Sequence, residues 1–408
     1  MRTLRPETAK SRAGETLNNC FTVRIARSLS ELDNIQAFWK LWQNRLLADF
    51  DLYLNTLRNG PHCLRPHVMF LVRDECPVAM LPGTLEEYAM RVNLGILKVS
   101  VPKTRVLSFA YGGVLGDQSH ESAELLVREI VSCLRNNEAD LAILHNVNED
   151  SELHRLALRI PGFLRRDHGT STDVHYSMIL PDKPELIYQG LSHKHRQAMR
   201  RTARKFASEY GESLQTTAYL AEGDVQQLIE EAEKVARKTY QRYLGVGFSP
   251  SEIITGRLLI AAKRNFLRAY ILSVSSEPCA FVIGMIYEGV FHLEYVGYDP
   301  AFADYSPGTL LITKVMEQLC AERVKEYDFG FGTEQYKERF GNRKIHETRI
   351  HIFGTNIRGL TANILKTSGM ILSAILRSLL ERTKLFTKLK TIWRTRLKKR
   401  QLANPKSS

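Results

Sequence analysis

Metal-type cysteine spacing is missing from this 408-residue chain: Cys20, Cys63, Cys76, Cys133, Cys279 and Cys320 are scattered, with no CxxC and no clustered histidine partner. That excludes a zinc ribbon and a disulfide framework, and predicts no metal cofactor. A reducing, cytoplasmic setting fits. The chain also lacks a long hydrophobic run. Residues 1–20 hold no apolar stretch of signal-peptide length and are expected to be a disordered lead-in. The most lipid-like segment, GMILSAILRSLL from Gly369 to Leu380, falls short of the ~20 residues needed to span a bilayer and contains Arg377. No nucleophile triad signature, P-loop lysine motif or HExxH is present, which removes the sequence support for hydrolase, kinase and metalloprotease chemistry.

A uniform positive charge is lacking too. The net charge is +13, but residues 358–408 hold thirteen Lys/Arg and one acid, Glu381, so residues 1–357 carry only +1. Basicity belongs to a tail, and the overall charge of the body does not drive its binding.

What is present is α+β texture, repeated. FTVRIAR reads as a strand, SELDNIQAFWKLWQNRLL as one amphipathic helix, and HVMFLVRDECPVAMLPG as two strands turning at Asp74 and Glu75. RVLSFAYGGVLG, the helix ESAELLVREIVSCLRNN and the strand DLAILHNV follow. After residue 181 come three helices, starting at Ser192, Asp224 and Ser251, then strands LRAYILSVSS, PCAFVIGMIY and GVFHLEYVGYD, a helix from Gly308 and the strand EYDFGFG. Tyr111 to Asp140 spans 29 positions and Tyr298 to Asp328 spans 30, each a strand-loop-helix-strand unit, which suggests an internal duplication. Two prolines and a glycine in LPDKPELIYQG mark a boundary near 181–190. The expected fold is therefore mixed α+β, with units at 21–180 and 181–357 and a basic helical tail at 358–408.

Residues 289–341 gather hydrogen-bonding groups where two strands end. Ser306 is suited to cap a helix, Pro307 to its first position, and Gly308 to close approach of a ligand to backbone amides, so an anion could dock there. Capping alone explains Ser-Pro-Gly equally well. If the flanking strands are adjacent and parallel, Tyr298, Asp299, Asp328, Glu334, Tyr336 and Lys337 share one crevice with that helix start. Such a crevice suits acyl transfer to an amine: the ammonium must lose a proton before attack, and the leaving thiolate or alkoxide must gain one. Asp328 or Glu334 is the candidate base, Tyr298 or Tyr336 the candidate proton donor, and Lys337 and Arg339 would neutralise anionic substrate groups. The alternative is a glycine-rich turn braced by its Tyr and Lys.

Three blocks, LSHKHRQAMRRTARKF (191–206), YDPAFADYSPGTLL (298–311) and YDFGFGTEQYKERFG (327–341), together resemble the GNAT-type N-acyltransferases of the CelD-like group, and more distantly the peptidoglycan-bridge aminoacyltransferases. The resemblance implies two tandem GNAT-like folds, the first degenerate and the second holding the donor site, with central mixed sheets flanked by helices. It implies acetyl-CoA or a longer acyl-CoA as donor, its pyrophosphate at Tyr305, Ser306, Pro307, Gly308, Thr309 and Leu310, and an amine of a small molecule or an envelope or exopolysaccharide precursor as acceptor. The family's phosphate loop, Arg/Gln-x-x-Gly-x-Gly/Ala, is matched here only by Gly308. Relatives that use aminoacyl-tRNA depart from that loop as well, so tRNA stays open as a donor, and a non-catalytic scaffold at the membrane is the alternative of another class.

In the first block Leu191, His195, Met199, Thr202 and Phe206 form the less polar face of a helix otherwise rich in Lys and Arg. A solvated cationic face explains most of these; Lys194 and Arg196, inside the family-like block, are the candidates for gripping an anionic substrate. In the tail, Leu372, Ile375, Leu376, Leu379, Phe386, Leu389, Trp393 and Leu397 recur at helical spacing against basic residues. That pattern suits peripheral attachment to an anionic membrane at its inner face, with packing on the enzyme's own body and RNA binding as rivals.

Overall fold

The computed structural model describes residues 21–382, apart from 95–96, 110–112, 240–241, 243–246 and 333. The first half runs β1 (Thr22–Ala26), α1 (Leu29–Asp33), α2 (Gln36–Trp42), α3 (Phe50–Asn59), β2 (Cys63–Pro66), β3 (Val68–Arg73), β4 (Cys76–Leu81), β5 (Gly83–Leu94), β6 (Leu97–Phe109), β7 (Leu115–Gly116), α4 (His120–Arg135), β8 (Leu141–Asn148), α5 (Glu152–Arg159) and β9 (Ser171–Ile179). The second runs α6 (His193–Tyr210), β10 (Leu214–Tyr219), α7 (Val225–Ala236), α8 (Glu252–Lys263), β11 (Leu267–Val274), β12 (Glu277–Tyr287), β13 (Val290–Tyr298), α9 (Pro307–Ala321), β14 (Glu326–Phe331), α10 (Gln335–Phe340), β15 (Arg343–Phe353) and α11 (Ile357–Arg382).

Local chemistry accounts for the hairpins. Asp74 and Glu75, Ser275 and Ser276, and Glu288 and Gly289 all have positive φ, so each pair forms the two-residue turn whose twist matches antiparallel strands. The helix expected over Ser30–Leu47 is broken. Ser28 caps α1 with Glu31 as its reciprocal partner, and after α2 the chain stops at Gln43, whose side chain accepts from Phe50 N at 2.9 Å. Asp49 then caps α3 through Asp51 N and Leu52 N. Fully buried Asp49 also receives Arg264 Nη1 at 2.8 Å, an ion pair that fastens the first half to the second.

The strands form a four-stranded sheet, β1-β3-β4-β7, and an eleven-stranded sheet, β10-β11-β12-β13-β14-β9-β15-β8-β6-β5-β2. Each half contains a strand-helix-strand crossover with a short parallel pairing, β6–α4–β8 and β13–α9–β14. The two halves interleave, because β9 lies between β14 and β15 while β15 lies between β9 and β8. The fold is thus mixed α+β, with mixed sheets flanked by helices and the same crossover in each half. Asp140 and Asp328 differ in place, however. Asp140 precedes β8 and accepts from Arg105 N and Asn356 Nδ2, whereas Asp328 lies inside β14; Tyr111 lies outside the described residues.

Strand alternation sends side chains to two cores. Tyr270, Leu272, Phe291, Tyr327 and Phe329 are buried against α6 and α9, while Ala269, Ile271, Phe281 and Ile283 pack against α7, α8 and, from the first half, Leu46 and Leu52. At roughly 1.5–3 kcal/mol for each fully buried large side chain, both faces of this sheet are committed to packing.

Candidate active site

The parallel pairing of β13 with β14 covers three rungs, Val290–Glu326, Phe291–Tyr327 and His292–Asp328. Beyond it β13 stays with β12 as far as Tyr298, and β14 stays with β9 as far as Phe331. The strands part after the His292–Asp328 rung, and a cavity lies on each side of the sheet.

The first cavity, about 340 Å³, lies among α6, α9 and α10. Asp299 follows β13, accepts from Ala301 N at 2.9 Å and so caps the 3-10 turn Pro300–Tyr305. Ser306 follows with φ 49° and ψ 50°, and α9 begins at Pro307. The expected Ser306 cap is not formed: a left-handed N-cap residue does not turn its hydroxyl back onto the first-turn amides, and no side-chain cap bond is made. The first helical bond runs from Leu310 N to Ser306 O, so the Gly308 and Thr309 amides have no acceptor within the helix. Tyr305, Ser306, Thr309 and Leu310 line the cavity. Pro307 and Gly308 are buried, and a Cβ on Gly308 would stand 3.3 Å from the Tyr298 ring, so this glycine admits Tyr298.

Opposite, Leu191 just before α6 and His195, Met199 and Thr202 of α6, members of the less polar face read from the sequence, line the cavity together with Arg196 and Arg200. Arg196 Nη1 is engaged with the carbonyls of Tyr188, Gln189 and Leu191 at 3.3, 3.4 and 2.8 Å, tying α6 to the preceding turn. Lys194 is exposed and outside the lining. From α10 come Tyr336, Arg339 and Phe340. Lys337 is buried; it donates to the Phe331 carbonyl and pairs with half-exposed Glu334 at 3.2 Å, bracing the turn after β14. Asp299, also buried, holds Lys238 at 2.7 Å. Glu334, Asp299, Lys337 and Tyr298 therefore stand at or behind the rim as structural groups and do not line either cavity.

Asp328 is on the other face, which corrects the expectation of one shared crevice. Tyr327 and Phe329 point into the core under α9, so the residue between them must point away. It meets the second cavity, about 260 Å³, bounded by the 44–47 loop of the first half, by His175, His292 and Asp328, and by Glu326, Arg343 and Glu347. There Asp328 accepts from His292 Nδ1 at 2.9 Å, from His175 Nε2, and from Gly330 N at 2.7 Å. Burial opposes charge on Asp328, but the two imidazoles override it and hold the carboxyl well below its usual range. Burial likewise opposes charge on His175, yet the bond to Asp328 and the nearby Glu347 carboxylate raise it to about 9. Asp328 is thus an anion between a protonated His175 and the Nδ1 edge of His292. Neither histidine was picked out by sequence reasoning; each is a strand residue whose partner comes from elsewhere in the chain.

The raised His175 value predicts a pH dependence of stability. Its native pairing favours the charged form, so the contribution is complete below the unfolded value of 6.5 and is lost as pH rises through about 9. With each tenfold gain in proton affinity worth ~1.4 kcal/mol, the pairing contributes on the order of 3 kcal/mol, shared with Asp328. Thermal midpoints should fall as pH is taken from about 7 to about 10. His175→Gln should flatten that fall, which melts across the range would check.

A bulge in β13 adds a backbone feature beside the parting strands. Ile283 pairs with Tyr295 and Gly284 with Leu293, leaving Glu294 extra; Glu294 pairs with Arg257 of α8 at 2.7 Å. A bulge leaves an amide outside the ladder. Elsewhere the fold brings His67, Cys133 and Glu138 within 4.8 Å of one another, which cysteine spacing did not reveal. Arg27 and Arg65 already occupy the Glu138 carboxylate, at 2.7 and 3.3 Å, and two guanidiniums there oppose a cation.

Comparison with known proteins places this geometry. Residues 193–338 match the family described as acetyltransferase (GNAT) domain. No curated protein matches. Among solved structures, FemX aligns with a TM-score of 0.51 at 10% identity, over 79% of this chain and 95% of its own. The C-terminal domain of a putative lysylphosphatidylglycerol synthetase from Agrobacterium fabrum gives 0.48 at 14%, over 84% and 97%, and a tandem GNAT protein from the clavulanic acid biosynthesis pathway 0.47 at 7%, over 82% and 99%. The match of residues 193–338 to a GNAT-type acetyltransferase domain supports an acyltransferase.

Proposed function

We propose that this acyltransferase moves an acyl group from a CoA-type thioester to an amine, with donor and acceptor entering from opposite faces of the sheet. The donor's diphosphate sits at the amides of Gly308 and Thr309 with Arg200 and Arg339 nearby, and its acyl arm runs along the apolar lining of the first cavity. The acceptor amine occupies the second cavity. His292 Nε2 takes a proton from it, Asp328 holds the imidazole, the nitrogen forms a bond to the carbonyl carbon, and the carbon–sulfur bond breaks. The thiolate is protonated from Tyr336 or water, and the amide freed by the β13 bulge polarises the carbonyl. The observation that carries this proposal is the His292–Asp328 pair on the last rung before the strands part, where both residues line the second cavity.

The wider assignment to a CelD-like enzyme of envelope or exopolysaccharide synthesis, at the inner face of the membrane, belongs to the same proposal, as does a division into units at 21–180 and 181–357. The exposed cations of α6, Lys194, Arg200, Arg201, Arg204 and Lys205, favour a second donor, aminoacyl-tRNA, whose binding would weaken steeply with salt. Thermal melts with CoA, acetyl-CoA and a long-chain acyl-CoA test the first choice. A thioester at a hundred times its dissociation constant should stabilise by about 2.7 kcal/mol. No shift with any of the three, alongside salt-sensitive tRNA binding, would transfer the donor site to tRNA.

A further inference from the structure

Phe163 and Leu164 are 70% and 61% exposed at the tip of the loop after α5, and the loop that displays them is tightly held. The Arg165 and Arg166 amides return to Gly162 O at 2.8 and 3.0 Å, and Phe353 N of β15 donates to Arg165 O at 2.8 Å. His168 Nε2 lies 2.9 Å from Phe163 O, with the two rings 4.7 Å apart. Asn363 of α11 donates to Leu164 O at 2.9 Å, and buried Asp167 anchors the loop's far end to His351 and Lys366. A fixed loop that keeps two large apolar side chains in water marks an interaction surface.

The neighbouring helix continues that surface. Gly359, Ala362 and Asn363 seat the start of α11 on the body, next to exposed Ile364; further along, Ile371, Leu372 and Ile375 are all exposed. Arg159 and Arg358, exposed as well, flank the loop and the helix start, and residues 383–408 add nine Lys/Arg and no acid. Apolar side chains bracketed by cations suit a bilayer surface, where the former enter the acyl boundary and the latter meet anionic headgroups. Two copies of so basic a face would repel.

We propose that the Phe163–Leu164 tip and the outward face of α11 form one docking surface for an anionic membrane. The face of α11 is then half of the device, and a loop some two hundred residues earlier in the chain is the other half. This proposal stands apart from the assignment of donor and acceptor.

Sedimentation of the full chain with phosphatidylcholine vesicles, with and without phosphatidylglycerol, tests it. The protein should pellet with the anionic vesicles and stay in solution with the neutral ones. Phe163→Glu combined with Leu164→Glu should weaken that partition at least about tenfold with an unchanged thermal midpoint, since both side chains are in water already. Leu41→Glu, at an exposed leucine remote in sequence from both elements, should leave partition unchanged. Parent-like partition of the double variant, or no preference of the parent for anionic vesicles, would overturn the proposal. So would a concentration-dependent dimer that the double variant disperses, which would make this face a contact between copies.

Discussion

Asp328→Asn should lower turnover by roughly 10²–10³ and lower stability by about 3 kcal/mol, because one carboxylate serves both the chemistry and the fold. For turnover, loss of the anion leaves His292 Nδ1 without the acceptor that fixes the ring, so Nε2 is no longer held ready for the incoming amine. For stability, His175 keeps only Glu347, at 3.7 Å, as a counter-charge. The two effects separate in His292→Gln: turnover should fall to a similar floor while the His175–Asp328 pair and most of the stability remain. Combining both substitutions should cost little beyond either one, since the two residues act as a unit. Full turnover in Asp328→Asn, in protein that still melts cooperatively, would remove Asp328 and His292 from the reaction.

Much of this arrangement was legible in the sequence where chemistry is local. Pro307 at the first position of α9, the apolar stripe of α6 and the turn at Asp74–Glu75 are encoded by neighbours three or four residues away. Adjacent parallel strands before and after α9 also follow from a strand-helix-strand unit. The face on which Asp328 points follows from the same local rule: Tyr327 and Phe329 are aromatic and alternate with it, so a buried strand must send Asp328 the other way. Collecting every polar group near the strand ends into one crevice ignored that alternation. The histidines are a different matter. His175 reaches Asp328 because β9 of the first half is inserted between β14 and β15, a pairing set by how the halves interleave, and no periodicity in STDVHYSMI announces a partner 153 residues away. The break after α2 is long-range as well, since buried Asp49 is tolerated only because Arg264 arrives from the second half.

Thr309→Glu should abolish donor binding while leaving the fold intact or slightly more stable. Thr309 is the third helical residue of α9 and lines the first cavity, so a glutamate there places a carboxylate beside the amides assigned to the donor's diphosphate. Like charges so placed cost several kcal/mol, which predicts a roughly hundredfold or greater loss of affinity for acyl-CoA. The same carboxylate lies in the first turn of a helix, where the dipole favours negative charge by about 0.3–1 kcal/mol, and the thermal midpoint without donor should hold or rise. Opposite signs for binding and stability are what make the substitution informative: general damage would lower both, and a donor bound elsewhere would leave affinity alone. Isothermal titration with acetyl-CoA, with a melt of the unliganded variant, measures the two quantities separately. Retained affinity in a stable Thr309→Glu protein would move the donor away from the start of α9, while the His292–Asp328 pair would still stand on its own test.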